Sequence, residues 1–223
     1  MDYTSLIGSS STGGSIANWG NTSQLVSAAP TIVAEAESFI YRRLRHWQMV
    51  AELDGQTMTI DSDTLALPTT DSNDNAIIFL EPKSLYIVGT NFSKLTMKTE
   101  EEVKSSYSYD SSGNRIQQMP EIYYFNATGI RMDSAADQAY PYELVYYQQL
   151  APLSVTTTNF LTSSYPRLVR CACMAAACEF MKDAGMGNFD RTYWAQAAMA
   201  EMQIAQAESD RAARAMEVGM ILR

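Results

Sequence analysis

Residues 25–47 read LVSAAPTIVAEAESFIYRRLRHW and residues 54–60 read DGQTMTI, and the change of period between them decides the fold. In the first stretch apolar residues recur at Leu25, Ala29, Ile32, Val33, Ala36, Ile40 and Leu44, the three-and-four spacing of one helix face. Pro30 removes a hydrogen bond wherever it falls inside a helix, so a short turn is expected before it and the main helix from there to about Trp47. In the second stretch polar and apolar residues alternate after an Asp54-Gly55 turn signal, the pattern of a strand leaving a hairpin.

Working outward, the alternating or β-rich runs Ala76 to Leu80, Ser84 to Val88, Glu121 to Phe125, Ile130 to Met132 and Tyr142 to Gln148 read as further strands, separated by Gly, Asn, Asp and Pro. Thr99 to Ser105 reads as a short helix, with Glu100, Glu101 and Glu102 at its positive end. After Leu153 the helical period returns. Ser164 is the expected N-cap of a helix with Pro166 just inside and an apolar face of Leu168, Cys171, Ala175 and Cys178, ended by Gly185 or Gly187. Asn188 is the expected cap of a last helix bearing Trp194, Ala198, Met202, Ala205, Ala212 and Met216 on one face, with Gly219 the one weak position near its end. The expectation is an α+β chain: a helical bundle, made of a long N-terminal helix and two C-terminal helices, with an antiparallel β insertion. Its domains are a Ser/Gly-rich flexible arm at 1–22, a bundle of 23–47 and 156–223, and a β domain of 48–155.

A chain of 223 residues with 46% hydrophobic content suffices for one large or two small domains with a real core. Its formal net charge of -9 argues against a protein whose task is to grip phosphates. No apolar run approaches the length of a membrane span, and MDYTSLIGSSSTGGS lacks the order of a signal peptide, so a soluble, cytosolic product is expected. Sequons at Asn21, Asn91 and Asn126 carry no weight in such a chain.

Candidate chemistry is sparse. Cys171, Cys173 and Cys178 have neither an even partner count nor a second metal-ligand pair, and they read as small buried hydrophobes. His46 has no nucleophile at a recognisable motif. Asp71, Asn73 and Asn75 imitate the start of a calcium loop, but Ala76 stands where glycine is required and Pro82 where glutamate is, so a polar turn is expected. Carboxylates at Asp61, Asp63, Glu100, Glu101 and Glu102 read as solvated surface. The expectation is no catalytic residue, no metal and no cofactor. Thirteen methionines and thirteen tyrosines suit core packing or adaptable contacts. The Ala-rich helices suit a tight bundle or neighbouring subunits.

Several phrases resemble the head-to-tail adaptor (connector) proteins of podophage-like tailed bacteriophages over most of residues 24–205. Ala34-Glu35-Ala36-Glu37-Ser38-Phe39-Ile40-Tyr41-Arg42-Arg43-Leu44-Arg45 is similar to the family's first helix. Leu67-Pro68 and Leu80-Glu81-Pro82-Lys83-Ser84-Leu85-Tyr86-Ile87 are similar to its middle stretch, with about ten extra residues, Thr69 to Phe79, between the two. Tyr142-Glu143-Leu144-Val145-Tyr146-Tyr147, Leu153-Ser154, Thr158-Asn159-Phe160-Leu161 and Tyr165-Pro166 follow in the family's order. The resemblance implies a structural virion protein of the neck, assembled in the host cytoplasm. It implies a ring, usually of twelve copies, between the portal protein and the tail nozzle or tail tube, with DNA only as passing cargo at genome ejection, and no membrane. An acidic channel would let phosphates slide. By the same resemblance the carboxyl-terminal segment reaches the portal, through Arg211, Arg214, Met216, Met220, Ile221, Leu222 and Arg223; packing of that apolar tip back on its own bundle is the alternative. Rival readings are another tail-completion or decoration protein, an adaptor that also cleaves cell wall and, more weakly, a nucleic-acid binder.

Overall fold

The structure, a computed structural model, describes residues 2–3, 6, 23–70, 76–89, 92–113, 115–183 and 190–221; side chains at 23, 24, 26, 183 and 215–221 lie outside that description. The chain divides into two compact units, a helical one of Met1–Gln48 with Leu150–Arg223 and a sheet one of Met49–Gln149.

The helical unit begins with α1, Ser23–Tyr41, which runs without a break through the exposed Pro30. The expected face is buried throughout, from Leu25 to Leu44. The helix stops at Tyr41, short of Trp47, where Arg45 turns its guanidinium back to the carbonyls of Tyr41 at 2.8 Å and Leu44 at 2.9 Å, satisfying groups a helix end leaves open. Of the expected arm, Tyr3 donates its N–H to the Thr157 carbonyl at 2.8 Å and Leu6 is buried; residues 7–22 lie outside the described residues.

Four further helices are described in this unit: α3, Leu153–Thr156; α4, Phe160–Ser164; α5, Pro166–Asp183; and α6, Arg191–Ile221. The expected cap Ser164 is instead the last residue of α4. Asn159 is the cap there, its side chain accepting from the Thr162 N–H at 3.1 Å while Thr162 Oγ1 accepts from the Asn159 N–H at 3.0 Å. Pro166 opens α5, where its fixed φ suits a first turn. Buried residues encircle α5, which packs on both α1 and α6. Its Ala172, Cys173, Ala177 and Cys178 are small enough to let helices approach closely. All three cysteines are free and buried, and burial, with the Glu37 charge adding, pushes the Cys173 thiol up to about 12. The expected caps Gly185, Gly187 and Asn188 lie outside the described residues. Asp190 accepts from the Tyr193 N–H at 3.1 Å and caps α6.

The sheet unit contains β1 (Val50–Thr57), β2 (Thr64–Leu65), β3 (Ile78–Ile87), β4 (Ser93–Met97), α2 (Glu100–Ser105), β5 (Ile122–Asn126), β6 (Gly129–Met132) and β7 (Pro141–Gln149). The strands form one sheet in the order β1-β7-β3-β4-β5-β6-β2. Asp54-Gly55 is a bulge inside β1: Leu53 pairs with Leu144 and Gln56 with Tyr142, and Gly55 takes the extra residue at φ +65°. The two runs read as separate strands before and after residue 82 are one strand, β3, with register shifts on either side of Pro82. Only Leu85 to Ile87 of β3 pair with β4, so the half holding Pro82 has β7 as its one neighbour, where a missing N–H is tolerated. Strand β4 pairs in parallel with β5, and α2 provides part of the crossover that parallel pairing requires. Thr99 and Glu102 cap α2 reciprocally, Thr99 N–H donating to the Glu102 carboxylate at 3.0 Å. At the β5–β6 hairpin Asn126 Oδ1 accepts from the N–H groups of Thr128 at 2.9 Å and Gly129 at 3.1 Å. A Cβ at Gly129 would meet the Leu65 carbonyl oxygen at 2.6 Å, so glycine permits the close approach of β2 to β6.

The expected architecture is corrected by this arrangement. The chain is α+β, 44% helix and 28% strand, with a seven-stranded, mixed, curled sheet in place of an antiparallel insertion. Its helices are not the bundle with a long N-terminal helix that the sequence suggested: α1 has 19 residues, and α2, α3 and α4 have 6, 4 and 5. Periodicity reports which face of an element is apolar. It does not report where a helix is stopped by a folded-back arginine, or that a strand pairs in parallel with one far along the chain.

Candidate interaction surface

Helix α6 sets the geometry of the surface. Ala198, Met202, Ala205 and Ser209 are buried at helical spacing, while Tyr193, Met199 and Ile204 face outward. Two ion pairs tie its flanks to α5, Arg167 to Glu201 at 3.2 Å and Arg191 to Glu179 at 3.1 Å. Its last buried turn is clasped by the segment that follows α1: the Arg45 N–H donates to Gln206 Oε1 at 3.1 Å and the Trp47 N–H to Ser209 Oγ at 2.8 Å. Tyr165 donates its hydroxyl proton to Glu208 at 2.6 Å and lies 3.3 Å from His46 Nε2. Beyond Ser209 the helix continues to Ile221, and no residue from Asp210 to Arg214 is buried. At 1.5 Å per residue that is a rod of roughly 18 Å past its last core contact.

Of the residues expected to meet the portal, those up to Ile221 fall on this rod. Arg211 and Arg214 are exposed; Met216, Met220 and Ile221 are within the helix span, their side chains outside the description, and Leu222 and Arg223 lie outside the described residues.

Unlike these arginines, the acidic candidates are largely engaged in structure. Burial works against a charge on Asp63, but hydrogen bonds from Thr64 and Arg115 and the charges of Arg115 and Arg131 outweigh it and hold the carboxyl below the usual range. Arg115 also donates to the carbonyls of Met132 at 3.1 Å and Asp133 at 2.9 Å and lies 3.6 Å over the Tyr107 ring. Asp61 accepts from Gln117, Glu100 pairs with Lys104 at 2.6 Å and Glu102 serves the Thr99 cap. Thus Asp63 is not the solvated carboxylate that sequence suggested. Asp71, Asn73 and Asn75 lie outside the described residues.

One partly exposed carboxyl with a raised pKa, Glu143, stands beside a second carboxyl, Glu52. Glu143 is raised by a hydrogen bond with Glu52, then by desolvation and by the charges of Glu52 and Asp54. The two share a hydrogen bond on neighbouring strands, whereas glycoside cleavage separates its carboxyl groups by about 5 Å or more to admit the sugar or water. His46 is buried, stacked on Phe160 at 4.8 Å, with Nδ1 accepting from the Gln48 N–H at 3.2 Å and Nε2 facing the Tyr165 hydroxyl at 3.3 Å. Sequence gave no warning of these contacts, because Phe160, Tyr165 and Glu208 lie far along the chain from His46. Among the described residues no helix is long and apolar enough to cross a membrane.

The sequence profile of a family described as SU10 adaptor protein matches residues 1–219. No curated protein matches the chain.

Proposed function

The chain belongs to the SU10 adaptor protein family, structural head-to-tail adaptors of phages, and on that premise we propose that it is a subunit of the neck ring of a podophage-like virion. In this reading about twelve copies close into a ring between the portal protein and the tail nozzle or tube, after assembly in the host cytoplasm. DNA passes through the ring at genome ejection, and the net charge of -9 keeps phosphates from sticking to it. The subunit has no catalytic role.

The observation that carries the portal contact is the course of α6 beyond Ser209, a helical rod with exposed Arg211 and Arg214 and no described core of its own. A helix that does not bury itself is suited to lie in a partner's groove. Met216, Met220, Ile221, Leu222 and Arg223 complete the proposed contact.

Mixing the purified chain with the portal of its phage, and following the product by mass measurement and electron microscopy, tests this. A closed ring stacked on the portal is expected for the intact chain, and no complex for one lacking residues 216–223 that keeps its circular dichroism. Unchanged affinity after that deletion overturns the assignment of the contact. Rings that form but ignore the portal point to a tail-completion or decoration protein, and clearing of host peptidoglycan in a zymogram would restore the cell-wall reading.

A further inference from the structure

The clasp between residues 45–48 and 206–209 is built around the chain's single histidine, and its hydrogen bonds assign the imidazole's proton. Nδ1 accepts from the Gln48 N–H, so it carries no proton of its own. The proton of the neutral ring is then on Nε2, facing Tyr165 Oη, whose own proton goes to Glu208. Each position has one role, and only the neutral ring fills them all. We propose that His46 is a proton-sensitive latch: neutral, it holds residues 45–48 against α6, and on protonation it lets that segment go and loosens the helix from Gln206 onward.

The mechanism is a clash of donors. A proton on Nδ1 would face the Gln48 N–H, and the ring, 2% exposed and stacked on Phe160, is largely shielded from water as it stands. The same short segment carries the Arg45 and Trp47 N–H groups that hold Gln206 and Ser209, so its displacement strains both bonds. The charges facing the ring are few. Glu208 on α6 favours the imidazolium. The Arg45 guanidinium is occupied by the Tyr41 and Leu44 carbonyls, and Asp210 accepts from Gln206. Tyr165, pushed up to about 12 by burial and then by Glu208, stays neutral; Phe160 and Trp47 carry no charge. Burial opposes the imidazolium more than Glu208 favours it, so the folded ring titrates below its ordinary value of 6.5. The sign follows: the clasp is intact at and above the unfolded value and is lost as pH falls through the lower, folded one.

The test uses the free, full-length chain and does not depend on portal binding. Imidazole resonances and amide-exchange protection are followed by NMR from pH 8 to 5. The expected result is a His46 midpoint below 6.5, with protection at Arg45, Trp47, Gln48 and residues 206–214 falling about tenfold per pH unit of depression and at the same midpoint. Protection in β3 and β7 stays constant. His46→Asn retains an acceptor for the Gln48 N–H and does not titrate, so its protection should not respond to pH. Glu208→Gln removes the carboxylate that favours the imidazolium and should move the midpoint further down, with the loss of protection at Arg45, Trp47 and Gln48 moving with it, which a merely packed histidine would not show. A midpoint at or above 6.5, or the same loss of protection in His46→Asn, overturns the proposal; should that variant fail to fold, a loss of protection that does not follow the His46 midpoint in Glu208→Gln does so.

Discussion

In the sheet unit the buried cluster is made of large side chains, among them Met58, Leu65, Leu85, Ile87, Leu95, Tyr123, Met132, Leu144 and Tyr146, whereas α5 fills the centre of the helical unit with Ala172, Cys173, Ala177 and Cys178. Polar burial differs in the same sense. The sheet unit buries Ser84, Asp133 and Ser134, and its prominent ionic cluster, Asp63 with Arg115 and Arg131, is only partly covered. The helical unit encloses Glu37 and His46 together with Thr162 and Ser209. Small residues on α5 let helix backbones approach closely beside the bulky face of Leu25, Ile32, Ile40 and Leu44, and the polar groups buried on the facing turns must find partners there. Both units are held by interdigitated apolar volume; the helical one adds close backbone approach and the hydrogen bonds of buried titratable groups.

The largest effect that tests this contrast is a cavity in the sheet. Leu85→Ala should cost about 2–5 kcal/mol, the range for a fully buried leucine, and lower the urea midpoint of the sheet unit. All three tryptophans, Trp19, Trp47 and Trp194, belong to the helical unit, so tyrosine-sensitive near-UV signals should shift more than tryptophan fluorescence. Equal shifts in both would break the contrast.

A smaller loss is expected from Asp63→Asn. It leaves Arg115 and Arg131 without their carboxylate, and since the side chains are partly solvated a cost of about 1–2 kcal/mol at pH 7 is expected, below that of a fully buried pair. The folded Asp63 titrates below its ordinary value, so this contribution is present above about pH 4 and disappears as pH falls through the depressed value; wild-type and variant melting curves should converge there.

The smallest effect has the opposite sign and lies in the helical unit. Glu37 accepts from the Leu153 N–H at 3.1 Å, and burial raises its carboxyl against that bond. A raised folded value means stability fully present below the unfolded value and lost as pH rises through the folded one, so the charge costs stability at pH 7. Glu37→Gln keeps an acceptor for Leu153 and should raise the tryptophan-detected melting temperature by about 2–4 °C at pH 7, corresponding to about 1 kcal/mol, with no gain at pH 4. A lower melting temperature at both values would show that the carboxylate has a partner worth more than its burial costs.

The phrases that carry the family resemblance fall at positions of packing and capping. Ala36, Glu37 and Ile40 are on the buried face of α1; Leu85 with Leu144, and Pro82 with Tyr146, pair across β3 and β7; Asn159 caps α4; Tyr165-Pro166 marks the entry to α5. Such residues are legible because their period and caps are set within a few residues, even where, as for Leu85 and Pro82, the partner is distant. The same holds for the α1 face, the short helix after Thr99 and the buried cysteines. Less was legible where distant segments decide. Strands β2 and β4 are short and have weak alternation, and β4 is held by β3 on one side and by β5 on the other. The reading of Asp54-Gly55 as a turn failed because a glycine at positive φ serves a bulge as well as a hairpin.

The sequence by itself determined the apolar faces of α1 and α5, the strands that became β3, β5, β6 and β7, the neutral packing role of the cysteines and the resemblance to phage adaptors. These depend on period, on caps and on residue chemistry that act within a few residues. Tertiary structure alone decided the parallel β4–β5 pairing, the end of α1 at Tyr41, the capture of Asp63 by Arg115 and Arg131, and the clasp of His46, Tyr165 and Glu208. Each of those joins groups far apart in the chain, and the free energy that selects them comes from burial and hydrogen bonds that exist only once the elements have met.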